Sequence, residues 1–99
     1  MPTFIALITE TQEGEVNIQD SVSRASRFVD KAAQFGATIK GQYWTMGAYD
    51  GVLIFDAPDD ETASALMLQL SSKGSVRTHT LRAFDADAMK AILRKGVGA

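Results

Sequence analysis

The sequence contains no cysteine, which removes disulfides, thiolate metal sites and cysteine nucleophiles together. Its single histidine, His79, rules out every multi-histidine metal motif. Charge of one sign is also missing. The formal net charge is −2, far from the concentrated positive surface that a phosphate backbone requires, so no nucleic-acid partner is expected. Nor is there a long hydrophobic run: no window approaches the roughly 20 apolar residues of a transmembrane helix. The opening Met-Pro-Thr-Phe-Ile-Ala-Leu-Ile-Thr-Glu has no basic region, and its apolar run is too short for a signal peptide. A cytoplasmic protein with no membrane partner is expected. Glycine-rich phosphate loops, nucleophile elbows and zinc signatures are absent, so neither cofactor nor metal is implied.

What remains is the balance of a globular protein, with 45% apolar and 22% charged residues over 99 positions. One domain over residues 1–95 is expected, with the Gly-Val-Gly-Ala of 96–99 as a flexible tail. A chain this short buries a smaller share of its surface than a larger domain does, and association with further copies would offset that.

Thr3 to Thr9 is rich in β-formers and reads as a strand, with Glu10 to Glu15 as the loop after it. Val22, Ala25, Phe28/Val29, Ala32 and Phe35 recur at spacings of three and four, which predicts a helix. Asp20 or Ser21 serves as its N-cap, Gly36 as its C-cap signal, and Ile18 folds against the same core on the approach. A second strand covers Ala37 to Thr45, with Ile39, Gly41 and Tyr43 alternating against Lys40, Gln42 and Trp44. Met46 to Asp50 is turn-like, and Gly51 to Ala57 is a third strand, stopped by Pro58. Asp59-Asp60-Glu61 opens a second helix with acids at the positive end of its dipole. Ala63, Leu66, Met67 and Leu70 form its buried stripe, and Gly74 ends it. Ser75 to Arg82 is a fourth strand, with Val76, Thr78 and Thr80 opposite Arg77, His79 and Leu81. Asp85 to Lys95 is a terminal helix.

The order βαββαβ plus a helix predicts the ferredoxin-like α+β fold, a four-stranded antiparallel sheet of order 4-1-3-2 with helices on one face. Strands one and three then lie in the centre. Both are apolar on both faces, with Phe4, Ala6 and Ile8 against Ile5 and Leu7, and Val52 and Ile54 against Leu53 and Phe55. Lys40, Gln42, Arg77 and Arg82 mark the edges. Helices cover only one face of such a sheet, so the other needs a cover. A second copy, sheet against sheet, is the expected one, giving a homodimer or higher oligomer. The alternatives are the C-terminal helix folding over that face, or a modest exposed patch that is simply tolerated.

The hairpin segment Gly47-Ala48-Tyr49-Asp50 runs into Val52-Leu53-Ile54-Phe55. With Ala57-Pro58-Asp59-Asp60 and Gly74 to Phe84, it resembles the GYD-domain family of small stand-alone proteins. Asp20-Ser21, Arg24-Ala25, Phe28 and Gly36 match that family's first helix, while Val22 stands where the family often has proline. The resemblance covers nearly the whole chain. It implies a ferredoxin-like, dimeric α/β-barrel type of fold and carries no activity with it. Gly47-x-Tyr49-Asp50 followed by Gly74-x-Val76-x-Thr78-x-Thr80 is also similar to the effector-binding domains of leucine-responsive-type regulators. Those domains bind amino acids at subunit interfaces, and this chain has no room for their helix-turn-helix.

The candidate ligand-binding residues are Tyr49, Asp50, Arg77 and His79. Tyr49 and Asp50 either stand at the rim of a ligand cleft or serve the turn itself, the carboxylate accepting backbone N–H bonds and the ring covering the hairpin. Histidine is the side-chain type suited to proton transfer near neutral pH, which makes His79 the candidate general base. Its structural alternative is an edge-strand histidine satisfied by a neighbour or water. Arg77 and Arg82 can hold an anion or simply discourage aggregation at an edge. Of Tyr43 and Trp44, on opposite faces, one is available to a partner or an aromatic ligand. Met67 and Met89 fall on helical apolar stripes and read as core filling. Asp59-Asp60-Glu61 splay around a helix start and do not make a calcium loop. Three functions follow: an oligomeric module binding a small molecule at or near its subunit interface; a cofactor-independent monooxygenase- or isomerase-like enzyme with His79 as base and Tyr43 or Trp44 shaping its pocket; or a purely oligomerising, protein-binding domain.

Overall fold

The computed structural model describes residues 1–98. β1 (Thr3–Glu10), β2 (Thr38–Trp44), β3 (Gly51–Asp56) and β4 (Val76–Ala83) form one antiparallel sheet in the order β2-β3-β1-β4. This is the expected 4-1-3-2 arrangement of the ferredoxin-like α+β fold. Its central pair registers Phe4 opposite Phe55, Ala6 opposite Leu53 and Leu7 opposite Val52. α2 (Ser21–Gln34) and α3 (Asp60–Ser71) pack on one face, over β2 and β4 respectively. Phe4, Ala6, Leu53 and Phe55 from the sheet meet Phe28 and Ala32 of α2 and Ala63, Leu66 and Met67 of α3. The Phe4 and Phe55 rings stack at 5.4 Å.

The expected loop after β1 is instead a five-residue helix, α1 (Gln12–Val16). Thr11 caps it by accepting from the Gly14 N–H at 3.1 Å, and its hydroxyl donates to the Gly74 carbonyl at 2.6 Å. Gly14 lets α1 lie directly on the turn before β4, since a Cβ there would stand 2.0 Å from the Ser75 carbonyl oxygen. A 3-10 turn (Ile18–Asp20) leads into α2, and Ile18 stays 46% exposed rather than entering the core. Asp20 precedes α2 but makes no side-chain cap bond; the Ser23 hydroxyl donates to its carbonyl instead. Val22 and Val29 point outward, because Phe28 and Ala32 already fill the contact with the sheet. Gly36 closes α2 at φ 75°, as its position predicted.

The fourth helix, α4 (Ala86–Val97), is capped by Asp85 and runs on through Gly96 and Val97 to Gly98 in the left-handed region. Of the expected tail, Ala99 lies outside the described residues. α4 buries none of its residues, so Met89 is 45% exposed and does not fill a core. The molecule is correspondingly long, at 51 × 31 × 18 Å. Its radius of gyration of 15.0 Å exceeds the ~13 Å of a compact chain of about 100 residues.

Candidate functional site

Strand alternation sorts the sheet into two faces. Val76, Thr78, Thr80 and Arg82 share the helix side with Phe4 and Ala6, while Arg77, His79, Leu81 and Ala83 lie on the open side opposite Thr9, Leu7, Ile5 and Thr3. His79 is therefore an open-face residue. β2 departs from simple alternation. A bulge between Ile39 and Gly41 places Ile39 opposite Phe55 but Gly41 opposite Ile54, so the faces exchange at Lys40. Ile39, Gln42 and Trp44 end on the helix side and Gly41 and Tyr43 on the open side, which one unbroken alternation does not produce. The Gln42 amide confirms this by donating to the Ala25 carbonyl of α2 at 3.0 Å. The Tyr43 ring lies over Gly41, where a Cβ would come within 2.9 Å of it. Tyr43 and Trp44 are 60% and 52% exposed, so both are available from opposite sides.

The turn residues take different parts. The Asp50 N–H donates to the Ile8 carbonyl at 2.8 Å, and the Asp50 carboxylate accepts the Glu10 N–H at 2.8 Å. The Thr45 hydroxyl donates to the Tyr49 carbonyl at 2.6 Å. These bonds latch the hairpin loop across the end of β1. The latch carries the Tyr49 ring to the His79 ring, edge to face at 6.1 Å. Tyr49 and His79 thus meet, Arg77 is the next residue along the same face of β4, and Asp50 is held at the end of the sheet by its own backbone partner.

A second concavity lies on the helix side. Between α2, the end of α3 and the sheet runs a groove of ≈450 Å³, floored by Ile8, Leu53 and Phe28 and edged by Trp44. Arg24, Arg27 and Lys31 of α2 and Lys73 after α3 line it, with Glu10 and Asp50 as its acids. Arg24 pairs with Glu10 at 3.2 Å in a half-buried contact. The Arg24 Nε–H is buried with no acceptor. The sequence reading passed over this group, although Arg24, Arg27 and Lys31 at spacings of three and four on a predicted helix are a legible basic stripe. What could not be read was that Lys73, far along the chain, faces it. Among the described residues no cluster of His, Asp and Glu could hold a metal ion. No described helix is long and apolar enough to cross a membrane.

Comparison with known proteins agrees with this fold. A Thermus thermophilus protein named glutamine synthetase and cystathionine beta-lyase binding protein is 38% identical over 84 residues, covering 84% of this chain and 88% of the relative. The crystal structure of TTHA0845, also from Thermus thermophilus, superposes with a TM-score of 0.57 at 26% identity, covering 87% of this chain and 96% of that one. The 5-chloro-2-hydroxyhydroquinone dehydrochlorinase of Burkholderia phenoliruptrix, solved with 2,5-dihydroxybenzoquinone, gives 0.61 at 15% identity, over 88% and 97% of the two chains. At that identity the likeness is one of fold alone. The GYD domain model matches residues 4–93, and with the relative above it establishes that this chain belongs to the GYD domain family.

Proposed function

We propose that this chain is an assembly module: it pairs with a second copy through the open face of its sheet and, so assembled, binds other proteins. The observation that carries the reading is the open face itself. Ile5, Leu7, Val52, Ile54, Leu81 and Tyr43 make an apolar layer spanning all four strands, and no helix among the described residues seals it. Apolar layers of this breadth belong to interfaces. α4 adds Met89, Ile92 and Leu93, all substantially exposed, as a second apolar stripe. A two-fold pairing satisfies both surfaces at once. The Thermus relative, whose name describes binding to two enzymes, supports the protein-binding half.

Tyr49, His79 and Arg77 lie on the face to be covered, so a small molecule held at the subunit interface would meet them first, with Asp50 behind as the residue that fixes the loop. The contact between the Tyr49 and His79 rings favours a second reading, an enzyme with His79 as base. Replacing His79 by alanine separates the two, since it abolishes turnover in an enzyme and changes binding only modestly in a module.

The experiment is native mass spectrometry at micromolar protein. The expected result is a homodimer that becomes monomeric when Leu7 and Ile54 are both replaced by arginine, with helical and strand content retained. A monomeric wild-type chain overturns the proposal.

A further inference from the structure

The groove on the helix side lies across the sheet from the proposed interface and does not depend on it. Its walls are unequally charged in a way that its own ion pairs do not resolve. Glu10 is committed to Arg24, and the Asp50 carboxylate to the Glu10 N–H. Arg27, Lys31 and Lys73 form no ion pair among the described residues. Their repulsion across a concave, mostly apolar space is relieved by an anion placed between them. The floor is apolar and one edge is the indole of Trp44. A volume of ≈450 Å³ falls within the range of about 300–1,000 Å³ typical of small-molecule sites. The apolar stripe of α4 from a second copy is a poor fit here, since that helix brings Lys90, Arg94 and Lys95 against the same cations.

We propose that this groove binds a small carboxylate with a flat apolar body. The body lies on Ile8, Leu53 and Phe28 beside Trp44, and the carboxylate meets Lys31 and Lys73. Charge and apolar contact are both required, because cations on the rim attract any anion, whereas only an apolar body displaces water from the floor.

Trp44 is the single tryptophan of the chain and reports directly on the site. Its fluorescence is followed while the intact protein is titrated with 3-phenylpropionate, and in parallel with 3-phenyl-1-propanol, which has the same body without the charge. The expected result is saturable binding of the acid, with the alcohol weaker by about tenfold or more. Lys31→Glu with Lys73→Glu, checked for fold by circular dichroism, abolishes the preference for the acid. Lys31→Gln with Lys73→Gln weakens it as the milder variant, and Lys95→Glu on α4, outside the groove, leaves acid binding unchanged. No saturation, equal affinity for acid and alcohol, a preference that survives charge reversal, or loss of binding in Lys95→Glu each overturns the assignment. A dimer with an empty groove defeats this inference alone, and a monomer that binds the acid defeats only the assembly proposal.

Discussion

The two faces of one sheet carry nearly the same kind of side chain and meet different fates. On the helix side Phe4, Ala6, Leu53 and Phe55 are buried beneath α2 and α3. On the other side Ile5, Leu7, Val52 and Ile54 alternate with them along the same two strands and remain only half-buried. The difference lies in what the chain supplies as a cover, not in the strands. Two helices arise between strands and are forced back onto the face where both crossovers fall. The third long helix, α4, lies outside both crossovers and buries none of its residues. An apolar layer that its own chain does not cover is a request for a second molecule, and that is the physical content of the assembly proposal.

Truncation on the two faces gives the largest test. Phe55→Ala, at a side chain with no exposure, is expected to cost about 3–5 kcal/mol in denaturant unfolding. Its strand neighbour Ile54→Ala is expected to cost about 1 kcal/mol at dilutions where the chain is monomeric, and visibly more once copies associate. Equal costs at high dilution would erase the distinction between the faces. Next in size is Asp50→Ala, which leaves the Glu10 N–H without its acceptor and frees the loop that carries Tyr49. A loss of about 1–2 kcal/mol is expected, together with a shift of the His79 ring resonances as the Tyr49 edge withdraws. A ring environment unchanged by that substitution would mean that the latch does not position Tyr49.

The smallest effect lies at the start of α3, on the covered side. Bonds from Thr62, side chain and backbone, hold the Asp59 carboxyl below its ordinary value of 3.8. A carboxyl whose pKa is lower in the folded state adds stability above its unfolded value and loses it as pH falls through the folded one. The wild type is therefore expected to shed a small increment of stability below about pH 4 that Asp59→Ala lacks throughout. Acid unfolding of the two proteins, compared from neutrality downward, checks it, and parallel curves would remove Asp59 as a contributor.

Much of this was legible in the residues. The strand order followed from the βαββαβ succession, with the two strands apolar on both sides in agreement, and Gly36 and the stripe of Ala63, Leu66 and Met67 stood where periodicity puts them. α1 was not legible, because Gly14 reads as a helix breaker until the Ser75 carbonyl is seen to leave it no room for a Cβ. The bulge at Lys40 was equally hidden. One unpaired residue changes no composition, yet it exchanges the sides of every residue after it. Of the candidate ligand residues, chemistry alone picked out Tyr49, Asp50, Arg77 and His79, and proximity then divided them. Tyr49 and His79 touch, while Asp50 serves the backbone.

By itself, then, the sequence determined the class of fold, the sheet order and the excess of apolar surface, because these depend on local periodicity and on how much there is to bury. Tertiary structure alone decided which side of the sheet each candidate side chain faces, that α4 leaves the open face uncovered, and that Lys73 lines the same groove as the cations of α2. Those outcomes rest on the packing of segments distant in the chain, where a one-residue change of register alters what meets what.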